Sequence, residues 1–184
     1  MLKRLWYKYS TYRQKERQQI LIQTFYDANG NRVHFSTENQ PFSSSPQHVL
    51  VILKSDEGWI LTQHKKRGLE FPGGKQEEGE SIEEAAVREV WEETGALIEQ
   101  LYYIGQYQVE EKTNSFVKNI YFAKVAQLEV KRDYMESTGP VILNKLPVDF
   151  NDETYSFIMK DEVMKISLKE IEKKGLLEEK SSSN

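Results

Sequence analysis

The chain has 184 residues, is 38% hydrophobic with eight Phe, ten Tyr and three Trp, and carries a formal charge of −4. That is enough apolar material for one packed domain, and the net charge creates no whole-molecule field that would gather polyanions. With no cysteine, disulfides, a thiolate metal site and a cysteine nucleophile are excluded; no apolar run approaches the roughly 18 residues of a membrane helix, and the basic N-terminus lacks the apolar segment of a signal peptide. A cytoplasmic protein without membrane partners is the expectation.

Residues 1–19, MLKRLWYKYSTYRQKERQQ, hold six Lys/Arg against one Glu, a net +5 that leaves −9 for the rest (−4 − 5). Trp6, Tyr7, Tyr9 and Tyr12 lie among those charges. Such an arm suits a single nucleic-acid strand, but a helix packing its aromatics on the domain is the preferred reading. In ILIQTFYDANGNRVHFS, two apolar-rich runs flank Asn29-Gly30, which predicts a hairpin with a type I′ turn. QPFSSSPQ (40–47) reads as a loop. VLVILK (49–54) and WILTQHK (59–65) predict a second hairpin around Asp56-Glu57-Gly58. In HKKRGLEFPGGK, Pro72, Gly73 and Gly74 take the chain out of the sheet. A helix follows from Ser81 to Thr94, with Ser81 and Glu84 as a capping box and Gly95 as the C-terminal stop. LYYIGQYQVE and FVKNIYFAKVAQL predict strands, and YMESTGP a loop. FIMKDEVMKISLKEIEKKG predicts one or two helices ending near Gly175. EEKSSSN (178–184) has the composition of a disordered tail. The organisation is therefore an arm (1–19), a mixed α/β domain (20–177) with helices packed on a sheet, and a tail.

The most unusual segment is GGKQEEGESIEEAAVREVWEETGAL. From Glu77 to Glu93 it holds eight carboxylates and one arginine, a local charge of −7 (1 − 8). Residues three and four apart share a helix face, so Glu89, Glu92 and Glu93 project together. Ala85 and Ala86, one turn earlier, leave room beside them. Convergent carboxylates with open space suit a hard divalent cation, Mg²⁺ or Mn²⁺. Arg88, four residues from Glu84 and Glu92, is placed to clamp a carboxylate. Ile82, Val87 and Val90 supply apolar contact to the sheet. On composition alone a solvated acidic helix is the favoured reading, because charge runs are usually just wet, and only the spacing overturns it.

That spacing is Gly74, five residues, Glu80, seven residues, then Arg88-Glu89-Val90-Trp91-Glu92-Glu93-Thr94-Gly95-Ala96. It resembles the Nudix hydrolase signature at every defining polar and glycine position. With each of seven positions granted about one chance in ten, a random match is on the order of 10⁻⁵, so the wet-helix reading gives way. Ala96 stands where a bulkier aliphatic is usual, with Leu97 next to it to take over the packing. The resemblance implies an α/β Nudix fold, a mixed β-sheet sandwiched between helices (α/β/α). It implies Mg²⁺- or Mn²⁺-dependent hydrolysis of a phosphoanhydride by an activated water. In that scheme Glu92 and Glu93 are metal ligands, and Glu89 is a ligand or the base. Glu80 is an auxiliary ligand, Gly73 gives a backbone carbonyl to the metal, and Gly74 permits the sharp turn.

Beyond the box, GQYQVEEKTNSFVKNIYFAKV, DYMESTGPVILNKLP and YSFIMKDEVMKISLKEI resemble the Gram-positive antimutator-type nucleoside triphosphatases, from about Phe25 to Leu176. That branch is associated with 8-oxo-dGTP clean-up and with removal of pyrophosphate from triphosphorylated RNA 5′ ends. A nucleoside triphosphate is therefore the expected substrate, and the RNA 5′ end the alternative. A non-catalytic nucleotide- or RNA-binding module is a third reading, disfavoured because all four box glutamates are present. The branch implies Glu136 as a further metal ligand or base, with Glu110 and Glu111 as rivals. Lys65, Lys66 and Arg67 are candidates for phosphate contact, and Phe71, Tyr107, Phe116 and Tyr121 for stacking on a base. His34, His48 and His64 read as structural.

Overall fold

The computed structural model describes residues 21–178, so the arm predicted at 1–19 and residues 179–184 of the tail lie outside the described residues. The elements run β1 (Gln23–Tyr26), β2 (Arg32–Ser36), β3 (His48–Ser55), β4 (Gly58–His64), β5 (Gly68–Glu70), α1 (Ile82–Thr94), β6 (Ala96–Glu110), β7 (Ser115–Leu128), β8 (Ser137–Leu143) and α2 (Glu162–Lys173). The strands form one mixed sheet in the order β1-β2-β6-β7-β3-β4-β5, with β8 paired to β4. The β3–β7 pairing is parallel and the other named pairings are antiparallel.

The two-residue period of a strand explains the layers. Along β3, Val49, Val51 and Leu53 pack with Ala85, Ala86 and Val90 of α1. Leu50 and Ile52, between them, face the opposite side and pack with Val163, Met164 and Ile171 of α2. A strand apolar on both faces needs a cover on each, and one helix lies on either side. This is the α/β/α sandwich expected from the sequence.

Several local expectations are corrected. Ala85 and Ala86 are fully buried against the sheet, so their small side chains bring α1 close to it rather than open room at the acidic face. Val87 is 47% exposed and does not contact the sheet as expected. Ala96 is itself buried, whereas Leu97 is 40% exposed and takes over no packing. The first hairpin is not type I′, because Gly30 is in the left-handed region while Asn29 is not. The Asp27 side chain accepts from the Asn29 and Asn31 amides at 2.9 and 2.8 Å, which favours a looser five-residue turn. Residues 137–140, the second half of the expected YMESTGP loop, are instead the start of β8. It tolerates Pro140 because, among the described residues, β8 pairs with β4 alone and is an edge strand.

Two features of the backbone position the acidic segment. The Val49 and Val51 amides donate to the Gly74 and Pro72 carbonyls, both at 2.9 Å, so the chain leaving β5 lies along β3. A Cβ on Gly73 would stand 2.4 Å from the Val49 carbonyl oxygen, so only glycine allows this approach. The start of α1 is then set by the capping box: the Glu84 amide donates to Ser81 Oγ at 3.1 Å and the Ser81 amide to Glu84 Oε2 at 2.7 Å. Gly95, at φ 72, ends it. Ser81→Ala should cost about 1 kcal/mol of stability in urea unfolding, as lost N-caps do; an unchanged midpoint would mean that packing alone holds the helix start.

Candidate active site

The acidic residues of α1 crowd against the Pro72–Gly74 segment. The Glu89 carboxylate lies so close to Gly74 that a Cβ there would be 2.0 Å from Glu89 Oε1. The Gly73 backbone lies near the Glu93 carboxyl. Since β3 takes the Pro72 and Gly74 carbonyls, the alternation of an extended chain turns the Gly73 carbonyl away from β3.

The last turn of α1 would otherwise end in orphan carbonyls. Thr62 Oγ1 and Ser137 Oγ both donate to the Glu93 carbonyl, at 3.2 and 2.8 Å. Lys131 Nζ donates to those of Trp91 and Glu92, at 2.7 and 2.9 Å. Side chains from β4, β8 and the loop between β7 and β8 thereby fasten the turn that bears Glu92 and Glu93.

Arg88 is the counterion of this crowd. Its Nε and Nη2 donate to the two oxygens of Glu80 at 2.8 and 3.0 Å. Its Nη1 reaches Glu89 at 3.0 Å and Glu92 at 3.3 Å, and Nη2 also donates to the Lys75 carbonyl at 2.8 Å. Glu84, expected as a partner, is instead held by the capping box. Glu80 is committed to Arg88, which holds its carboxyl below the usual range.

A cleft of about 600 Å³ gathers Glu89, Glu92 and Glu93 with Gly73, Gly74, Arg67, Phe71 and Glu136. Glu80 and Lys65 are not on its wall. The Lys65 ammonium bonds the Met135 carbonyl and its amide donates to the Glu136 carbonyl, so Lys65 braces the loop that carries Glu136. Arg67 is present but paired with Glu70 at 2.6 Å. Phe71 is 1% exposed and packs edge-on to Trp59, which leaves no ring face for a base. Of the rivals to Glu136, Glu110 pairs with Arg32 and His34, and Glu111 lines a smaller adjoining cavity of about 160 Å³.

Among the cleft residues that escape sequence reasoning, two charged ones come from strands. Glu70, 3% exposed between Leu69 and Phe71, and Lys118, on β7, both face the site. The signal is a lone charge inside an apolar strand run, where a solvated side chain is not expected. Burial lowers the Lys118 ammonium.

Burial also raises Glu89, against the pull of Arg88. It raises Glu93 most, to about 8, with the charges of Glu89 and Glu70 adding to the effect. Glu93 Oε2 is buried without a hydrogen-bond partner. Among the described residues, no three acidic or histidine side chains already converge on a single point. The arrangement is that of carboxylates drawn toward Arg88, with an orphaned oxygen left over, and the donor set fits a divalent ion.

A raised carboxyl pKa means that the folded protein keeps a proton which the unfolded chain has released. Its contribution is fully present below about pH 4.5 and is lost as pH rises through about 8. In protein stripped with chelator, stability should fall across this window, and Glu93→Gln should flatten the fall and be the more stable at its upper end. Parallel pH profiles for the two proteins in denaturant unfolding would contradict the assignment.

Comparison with known proteins agrees with the site. The NUDIX domain model matches residues 45–137. The Bacillus subtilis protein YtkD, named as a candidate 8-oxo-dGTP diphosphatase, is 50% identical over 155 residues, covering 84% of this chain and 98% of YtkD. The crystal structure of the Bacillus subtilis pyrophosphohydrolase BsRppH superposes with a TM-score of 0.83 at 49% identity, over 85% of this chain and 99% of that one. A NUDIX hydrolase from Nitrosomonas europaea, at 18% identity and a TM-score of 0.53 over 76% of this chain and 100% of its own, shares the fold. The carboxylate-bearing helix, the glycine segment beneath it and these matches together establish that the chain belongs to the Nudix hydrolase family.

Proposed function

We propose that this enzyme is a Mg²⁺- or Mn²⁺-dependent pyrophosphohydrolase of nucleoside triphosphates, 8-oxo-dGTP among them. The observation that carries the metal is the partnerless, buried Glu93 Oε2 within a carboxylate cluster that one guanidinium leaves under-compensated. Glu89, Glu92 and Glu93, with the Gly73 carbonyl and Glu136, are the residues that would hold the ion, and Glu80 serves through Arg88. When bound, such an ion neutralises phosphate oxygens and lowers the pKa of a bound water. The substrate class is supported by the name and closeness of YtkD.

The chain's own groups account for the rest. Arg67 and Lys118 face the cleft and suit the anionic oxygens of a polyphosphate. Water attacks a phosphorus within that chain, the anhydride P–O bond breaks and a carboxylate takes the proton. Glu89 suits that role, because burial makes its carboxylate more basic than a solvated one. Glu136 is the other candidate. No covalent intermediate is required.

A second reading, the 5′ end of triphosphorylated RNA, is favoured by one observation. The cleft continues into neighbouring cavities, sharing His48, Lys75, Gln76 and Glu77 with one and Lys118, Phe157 and Ile158 with another. A chain could leave the site there, whereas a free nucleotide needs no exit. Nucleotides and RNA are both cytoplasmic, which is the matching setting.

The test is product analysis with Mg²⁺ on a nucleotide panel and on triphosphorylated RNA. Activity should vanish with EDTA and return with Mg²⁺ or Mn²⁺. A protein with Glu92→Gln and Glu93→Gln together should lose turnover by orders of magnitude while folding at least as stably, because like-charge repulsion is relieved. Full activity in that variant would remove the metal assignment.

A further inference from the structure

We infer that His64 is a positioning residue that aims Glu136 into the cleft, an inference that rests on the reading of Glu136 as a working carboxylate. His64 ends β4, is 5% exposed and does not line the cleft, so it touches no substrate there. The β4–β8 ladder shifts register beside it: Thr62 pairs with Pro140, but His64 pairs with Ser137, so three steps on β8 match two on β4. Such a bulge re-aims the side chains around it. Met135, at φ 55, bends the chain just before, and Glu136 emerges beside the imidazole.

The tautomer follows from the hydrogen bonds. His64 Nδ1 accepts from the Lys66 and Arg67 amides, both at 3.1 Å. Nδ1 is therefore bare, and the neutral ring carries its proton on Nε2. That nitrogen stands 3.5 Å from Glu136 Oε2. One imidazole thus ties the turn bearing Arg67 to the loop bearing Glu136. The Glu136 side chain is 77% exposed even beside His64, and without that neighbour nothing would favour one of its rotamers. An N–H at 3.5 Å from one oxygen, longer than a formed hydrogen bond, biases those rotamers electrostatically and leaves the other oxygen for the cleft. Partners of this kind orient a working carboxylate or ligand, and their loss typically costs about 10- to 100-fold.

The test compares His64→Asn, His64→Gln, Glu136→Gln and the double variant His64→Asn with Glu136→Gln. Asparagine keeps an acceptor near Nδ1 and loses the donor, whereas glutamine carries an N–H to the place of Nε2. The expected result is a fall in kcat of about 10- to 100-fold in His64→Asn with KM for the triphosphate unchanged, and recovery of most of it in His64→Gln. In the Glu136→Gln background His64→Asn should change kcat by less than about twofold, since coupled residues do not add. Nitrogen NMR of the metal-free wild type should show the Nε2–H tautomer, with the Nε2 resonance alone moved by Glu136→Gln. Wild-type kcat in His64→Asn beside an impaired Glu136→Gln would overturn the inference, as would an equal loss in both backgrounds or an Nδ1–H ring. If His64→Asn does not fold, a loss in folded His64→Gln that persists with Glu136→Gln overturns it equally. A Glu136→Gln enzyme of wild-type turnover removes the reading of Glu136, and the inference with it.

Discussion

The structure turns on one guanidinium among carboxylates. Arg88 holds Glu80 with two nitrogens and reaches Glu89 and Glu92 with a third. Glu93 lies beyond its hydrogen bonds, buried and with an unsatisfied oxygen. Buried like charges are costly unless something of opposite sign completes them. Arg88 completes part of the cluster and orients it, so the helix can carry charges that would otherwise push apart. The remainder is what makes the cluster a site rather than a surface.

The rest of the fold serves that crowding. The chain from Pro72 to Gly74 lies along β3, an approach that only glycine at 73 permits, and at Gly74 any side chain would displace the Glu89 carboxylate. Ala85 and Ala86 let α1 settle on the sheet. Thr62, Ser137 and Lys131 fasten its last turn from three separate strands and loops. Glu136 arrives from the same loop that supplies Lys131, so one segment both caps the helix and faces its carboxylates.

What was legible in the sequence is what is local. The capping box, the stop at Gly95 and the shared face of Glu89, Glu92 and Glu93 follow from spacing along a single helix, and the structure has each of them. What was not legible depends on the return of distant chain. Arg88 pairs with Glu80 eight residues away, through a loop whose path is set by β3, not with Glu84 at the helical spacing of four. Glu70 and Lys118 enter the cleft from strands that local pattern cannot orient. Pro140 hid β8, because its place at a sheet edge is a fact of topology. Phe71 was expected at the site for its ring, and the core takes that ring.

The central claim, that a bound cation completes what Arg88 leaves unfinished, is tested most directly by the melting temperature of metal-stripped protein titrated with Mg²⁺ against NaCl at matched ionic strength. A specific ion stabilises by mass action, about 2.7 kcal/mol at a hundred times its Kd, whereas salt only screens. The account predicts a saturating rise with Mg²⁺ that NaCl does not reproduce, and its loss when Glu92 and Glu93 are both changed to Gln. Equal effects of the two salts, or an undiminished Mg²⁺ response in that variant, would contradict it.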